Sequence, residues 1–506
     1  RWVSAAWFCL GIPLMALWLW WWTGSAWAAG LAGAYYAVSL ASVMRSTGQE
    51  LQHENFALPL LIAHFAFQAL AGRAAAREGP ERPPGPRFWG ASVLAALMLA
   101  GAACTWDLIQ FYVLVWAAIG AARFVAGRHF QDVRARLSWG LTLLALAAAG
   151  WLNPYLRAHA FAGSFALWLA YGVTLGLVLE RLAARRPAAA ARPVRRPAVF
   201  RLLLLAAALA AGVLCSGAYG ETYGHFLSLL WAKVRFLNRK PADPALLTFE
   251  QRILWTAPLQ SATWRLTRFL FPVTLPLGVW AGCLAVLRLR RHPDPELNRL
   301  LAFLGIALMA FGFFARFHVF AVIGLAALLG WMGAWAMARR SALRWLAAVA
   351  LLAGVGAEAA HVLRSPERWG SVPAYAAEKR ALCGWLKEQA PGERVLANFG
   401  LSGTVLAYAG CPIVLHPKFE SPAIRRRVRA YGEALFTADE AGFRDWMEPY
   451  GAPFYVYAMG EFAESQPESQ MRYCVDALDP PPSAAARAFE FAPERCRYFR
   501  LLWGNR

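Results

Sequence analysis

Acids and histidines are scarce in this chain, so the places where they gather are where chemistry is to be sought. Glu50, His53 and Glu54 fall close together in RSTGQELQHENFALPLL (residues 45–61), a stretch with strongly apolar sequence on both sides. Three further polar knots follow: YGETYGH (219–225) with Glu221 and His225, TFEQR (248–252) with Glu250, and ARFH (315–318) with Arg316 and His318. Carboxylate oxygens suit a hard divalent cation such as Mg2+ or Mn2+. Arginine gives a permanent charge and a planar fork that matches phosphate oxygens. Carboxylates gathered near one arginine therefore suit a site holding a divalent cation and a phosphorylated substrate.

Each of these residues also has an ordinary reading. Glu54 could be an acid at a helix start, where the helix dipole favours it. Glu250 sits in a long polar loop, where a surface salt bridge is the common fate. His225 follows Glu221 by four residues, a spacing that allows a local hydrogen bond and nothing more. His318 reads as a structural histidine at a membrane interface. Arg316 is harder to set aside, because a charge between two spans must reach water, a headgroup or a partner.

The elements that must position these groups are membrane helices. The chain has 506 residues, of which 59% are hydrophobic and 16% charged, and apolar runs near spanning length recur through residue 361. Twelve spans are expected, at about 5–22, 25–43, 56–72, 89–104, 106–123, 138–152, 161–180, 199–217, 268–287, 300–314, 318–337 and 345–361. The net charge of +21 is mostly arginine, clustered in 73–87, 123–136, 181–201, 288–299 and 339–344. These clusters fall between spans in the positive-inside pattern, which makes them cytoplasmic. The charge is thus topological or lipid-facing, and nucleic-acid binding is a poor reading of it. The outer side then receives 44–55, Thr105–Trp106, Asn153–His159, 218–267, Ala315–His318 and everything from 362, so all four polar knots share one face.

From about residue 370 the composition changes. RVLANFG, PIVLHPKFE and FYVYAMG read as short strands alternating with helical stretches. The expected organisation is a membrane domain over 1–361, including the outer loop 218–267, and an extracytoplasmic soluble α/β domain over 362–506. Cys383, Cys411, Cys474 and Cys496 fall in that tail, where an oxidising compartment would allow one or two disulfides. No Cys or His spacing resembles a zinc site. No internal repeat is visible, which disfavours a transporter.

The order of the pieces resembles the catalytic subunit of oligosaccharyltransferases. AAGLAGAYYAVSLASVMRSTGQELQHENFALPLL is similar to that family's Ala/Gly-rich span, Arg-Ser dipeptide, Gly, and acidic D-x-D or D-x-E motif. FWGASVLAALMLAGAACTWD resembles the Trp-Gly span and short hairpin that follow. TFEQRILW stands where the family has an outer-loop Glu, and ARFH where it has an Arg that meets the lipid-linked diphosphate. RVLANFGLSGTVLAYAGCPIVLHPKFESPAIRRR resembles the segment around the family's Trp-Trp-Asp motif. Two departures stand out: Gln52 replaces the first acid of D-x-D/E, and Ala397–Asn398–Phe399 replaces Trp-Trp-Asp, which in the family holds the acceptor Ser or Thr. The family has thirteen spans and an acid-bearing first outer loop, so an N-terminal span and that loop are expected to precede Arg1.

The resemblance implies a mainly α, polytopic GT-C-type membrane glycosyltransferase. It would move a sugar or oligosaccharide from a polyprenyl-(di)phosphate carrier to an extracytoplasmic acceptor, a protein or a glycan. Glu54 and Glu250 would hold Mg2+ or Mn2+, and Arg316 would neutralise the leaving phosphate. His53, Glu221, His225, Asn398, His416 and Lys418 are the acceptor-side or accessory candidates. The expected location is a bacterial inner membrane with the tail in the periplasm. One alternative is a transferase using a monophosphate-linked sugar on lipid, glycan or Ser/Thr, with Glu54 as base. The other is a non-catalytic scaffold or receptor on the same fold, which Gln52 favours.

Overall fold

Apolar sequence that must satisfy its own backbone hydrogen bonds within lipid forms helices. The computed structural model describes residues 2–44, 53–79, 82–127, 132–184, 197–215, 217–255, 259–339, 343–365, 376–417, 419, 421–459, 471–479 and 481–500. The chain is mainly α, a polytopic membrane protein with a small α/β part in its C-terminal region. Among the described residues nine helices are long and apolar enough to cross a membrane, or ten if Trp264–Leu270 and Thr274–Arg291, bent by 87°, form one span. Two expected spans are shorter: Ile109–Val125 is an apolar helix of 17 residues, and 25–43 is broken into Ala26–Val38 and Leu40–Val43. The break falls at Ser39, whose backbone is extended.

By contacts the chain divides into two compact units. The first comprises Arg1–Tyr219, Ala262–Gly312 and Arg316–Gly370, and holds the membrane helices. Its most enclosed element is His318–Met337, in a span with 89% of its window buried. Small residues allow that enclosure. A Cβ on Gly330 would stand 2.7 Å from the Ala28 carbonyl oxygen and 2.8 Å from the Ala32 Cβ, so this helix and Ala26–Val38 meet nearly backbone to backbone. Gly330→Val is expected to cost about 1–3 kcal/mol through overpacking, read as a lower melting temperature in detergent. An unchanged melt would disprove the close approach.

Glu358 sits inside the helix Leu343–Arg364 and is fully buried. Its Oε1 accepts hydrogen bonds from the amides of Val273 at 3.1 Å and Thr274 at 2.7 Å, and from the Thr274 hydroxyl. These amides open the helix Thr274–Arg291 immediately after the 87° bend. A helix start leaves N–H groups without partners inside the helix, and an acid from another span caps this one.

The second unit comprises Gly220–Ser261, Phe313–Ala315 and Ser371–Arg506. Strands Val395–Ala397 and Phe454–Val456 pair in parallel, and among the described residues the segment between them contributes a single bridge, Val395 to Ile413. Leu386, Ala390, Val395, Val405 and Cys411 form the core beside this sheet. Residues from 218–267 are fastened to the tail within this unit. The Tyr473 hydroxyl donates to the Pro241 carbonyl at 2.7 Å, Arg252 Nη1 donates to the Cys474 carbonyl at 3.2 Å, and Lys240 Nζ lies 4.4 Å from the Tyr473 ring centre. All eight cysteines are free thiols, against the allowance for disulfides. Cys383 and Cys411 instead pack as small core residues.

Candidate active site

Glu54 lies in the first turn of His53–Glu78, where the positive end of the helix dipole favours a carboxylate. Arg316 lies in the single turn Ala315–Phe317 ahead of His318–Met337. The fold brings together these two residues, 262 apart in the chain: Arg316 Nη2 stands 3.5 Å from Glu54 Oε2. Glu54 is 0% exposed and the Arg316 side chain 35% exposed. A carboxylate taken wholly out of water needs a counter-charge, and this guanidinium supplies it. The outer portion of the arginine remains accessible, and its Nε is buried with no hydrogen-bond partner among the described residues.

Trp106 braces the pair. Its ring centre is 5.8 Å from the guanidinium carbon, and it stacks on Phe320 at an interplanar angle of 4°. His53 Nδ1 is 3.0 Å from the Thr105 carbonyl oxygen, which ties the start of one helix to the end of Pro86–Thr105. The next residue after Trp106 is an acid that sequence reasoning did not single out. Asp107 Oδ2 accepts the Tyr155 hydroxyl at 2.6 Å, and Gln110 Oε1 accepts the Tyr219 hydroxyl at 3.0 Å. The available signal was position: Asp107 directly follows the tight link Thr105–Trp106 already assigned to the outer face.

The other expected residues are placed as follows. Glu250 is half-buried in the first turn of Phe249–Leu254, a helix closed by a Thr248–Gln251 capping box, and it belongs to the second unit. His225 Nδ1 accepts from Arg425 Nη1 at 3.4 Å. The Asn398 Oδ1 accepts the Gly400 amide at 2.9 Å and so caps Phe399–Thr404. His416 is half-buried. Glu221 lies in the helix Gly217–Arg235, but its side chain, like all of Gln52 and Lys418, lies outside the described residues. Among the described residues no three His, Cys, Asp or Glu side chains come together as a metal centre.

Lys233 was also not singled out. It is fully buried; Nζ donates to Ser261 Oγ at 3.0 Å and to the Phe313 carbonyl at 2.7 Å. Trp255 and Phe314 present ring faces to it at 4.7 and 4.9 Å. Burial, with Lys240 adding repulsion, pushes the amine down to about 7. Its place near the end of a polar-faced helix reads in sequence as a solvated lysine.

Solved structures have a similar fold. The archaeal oligosaccharyltransferase AglB from Archaeoglobus fulgidus, in complex with an inhibitory peptide and a dolichol-phosphate, matches at a TM-score of 0.62 with 13% identity over 89% of this chain and 57% of its own. The fold is oligosaccharyltransferase-like. The apo form of the Archaeoglobus fulgidus enzyme gives a TM-score of 0.64 with 12% identity, over 93% of this chain and 60% of that one. Its complex with Zn and sulfate gives 0.55 with 12% identity, over 89% and 54%. This chain thus spans less than two thirds of the length of these enzymes. No family model and no curated protein matches. At this identity the likeness establishes an oligosaccharyltransferase-like fold in a multi-pass membrane protein.

Proposed function

We propose that the chain is a GT-C-type glycosyltransferase that takes a sugar or oligosaccharide from a polyprenyl-(di)phosphate carrier and transfers it to an extracytoplasmic acceptor, a protein or a glycan. The observation that carries this reading is the pairing of buried Glu54 with part-exposed Arg316, an arginine that also has a buried Nε donor without a partner among the described residues. When the bond from sugar to phosphate breaks, negative charge grows on the departing phosphate oxygen. Arg316 is the group that would meet that charge, with a fork already oriented by Glu54 and by Trp106. Such preorganisation lowers the barrier because no solvent has to reorient.

Burial against Arg316 suits Glu54 as a counter-ion and not as a base for an acceptor hydroxyl, which weighs against the monophosphate alternative. The bacterial inner membrane and a periplasmic tail remain part of the proposal. The solved relatives contain a dolichol-phosphate in one case and Zn in another, which supports a lipid carrier and a metal in the same scaffold. Among the described residues the donors do not gather into a metal centre, and the charge of Glu54 is already matched by Arg316. Glu54 and Glu250 stay the proposed carboxylates for Mg2+ or Mn2+, and no step here runs through the cation.

The test is a transfer assay with polyprenyl-diphosphate-linked and polyprenyl-monophosphate-linked sugars, with and without EDTA. Transfer from the diphosphate donor, lost in EDTA and restored by Mn2+ or Mg2+, is expected. Indifference to EDTA would remove the cation and leave Glu54 as the partner of Arg316 alone. No transfer from either donor by the folded, full-length protein would favour the non-catalytic reading.

A further inference from the structure

A second polar site lies at the opposite ends of the same membrane helices, in the first unit. A half-open cavity of about 260 Å³ is lined by the later part of His53–Glu78, the end of Ile109–Val125 and the starts of Val133–Leu152 and Pro295–Phe313. Trp18, Trp22, Trp116 and Phe303 supply apolar walls. Arg123, Arg134 and Arg299 supply cationic ones, and Glu296 and Asp132 anionic ones.

The three arginines differ in what they already hold. Arg134 is committed to the protein: it donates to the carbonyls of Ala75, Gly79 and Arg82 and to Glu78, at 2.8–3.1 Å. Arg299 is paired with Glu296 at 2.5 Å, and both remain partly exposed. Arg123 makes no hydrogen bond or ion pair among the described residues, although it lines the cavity and is half-buried. A permanent cation half-buried at the end of a membrane helix needs an anion. Arg299 repels it, and Glu296, which attracts it, is already paired with Arg299.

We propose that this cavity binds the head of an anionic phospholipid, with phosphate on Arg123 and Arg299 and the start of an acyl chain against Trp116 and Phe303. Three observations favour a lipid over a free phosphate. The walls are aromatic, they belong to membrane helices, and the volume suits a headgroup with a short length of chain. The guanidinium fork is matched to phosphate oxygens, and tryptophan favours the membrane interface. This site is separate from the Glu54–Arg316 pair, so it stands or falls apart from transferase activity.

Lipid binding to the purified full-length protein, counted by native mass spectrometry, tests it with phosphatidylglycerol, phosphatidylcholine and inorganic phosphate as probes. Wild type should prefer phosphatidylglycerol over phosphatidylcholine by about tenfold: both offer a phosphodiester, but the choline ammonium brings a cation up against Arg123, Arg134 and Arg299. Arg123→Gln should erase most of that preference and Arg299→Gln part of it, whereas Arg157→Gln, an exposed arginine elsewhere, should leave it intact. Should Arg123→Gln fail to fold, Arg123→Lys decides, since it keeps the charge and loses the fork; a reduced preference is expected. Equal binding of the two lipids, or a preference untouched by the Arg123 and Arg299 variants, would overturn the site. Full displacement of lipid by inorganic phosphate would overturn the lipid assignment.

Discussion

Replacing Glu54 by Gln is expected to lower sugar transfer by about 10²–10³-fold, the scale seen when one preorganised charge-stabilising group is lost. The change keeps the shape of the side chain and removes only its charge. Arg316 then loses its counter-ion at 3.5 Å, and its fork is no longer held against the place where phosphate would leave. The charge left behind is that of Arg316, which is part-exposed and still reaches water, so the loss of stability should stay below that of an orphaned buried ion; folding is checked first by size exclusion and thermal melting. Glu54→Asp restores the charge one methylene short and should recover part of the activity. Because the two residues act as a unit, Glu54→Gln combined with Arg316→Gln should cost little more than either alone. Multiplying losses, or a folded Glu54→Gln protein with wild-type turnover, would remove the pair from the mechanism.

The second large effect concerns pH. Lys233 is pushed down from 10.5 to about 7 in the folded chain by burial and by Lys240. Between those values the unfolded chain binds a proton that the folded chain does not, so stability rises with pH, by up to about 1.4 kcal/mol per pH unit. Below about 7 both states are charged and the cost of burying the ammonium is present in full; above 10.5 both are neutral and the slope ends. Lys233→Met should flatten this rise. It also gives up the hydrogen bonds to Ser261 and the Phe313 carbonyl, so proteolysis within 236–263 should become faster at high pH. Denaturant titrations of both proteins from pH 6 to 9 read the slope directly. Parallel slopes in wild type and Lys233→Met would assign the pH dependence to another group.

How much of this could be read from the chain itself varies with the kind of signal. Long apolar runs separated by arginine clusters specify membrane helices almost without tertiary information, and the fold class followed from them. Arg316 was legible because a charge between spans has few destinations. Its meeting with Glu54 was not, since no periodicity links residues 262 positions apart. Lys233 was hidden for the opposite reason: a lysine near a helix end is an unremarkable surface pattern until Trp255, Phe314 and Ser261 close over it. Glu358 lay unnoticed in an Ala-rich span because its partners are backbone amides, which carry no sequence signature. The segment PIVLHPKFE has the composition of a strand, but its described residues contribute one bridge, at Ile413. Its prolines, Pro412 and Pro417, lack the amide that a ladder needs.

The cap that Glu358 provides also sets an order of assembly. Its partner amide on Thr274 is 84 residues earlier in the chain. At synthesis rates of about 5–20 residues per second, the bent helix waits roughly 4–17 s before its cap is made. During that interval the exposed amides of Val273 and Thr274 must be held by water, a lipid headgroup or the insertion machinery. Biogenesis of this chain therefore includes a stage at which an open helix end has to be sheltered, and nascent chains arrested before and after residue 358 should differ in how firmly 264–291 is held in the bilayer.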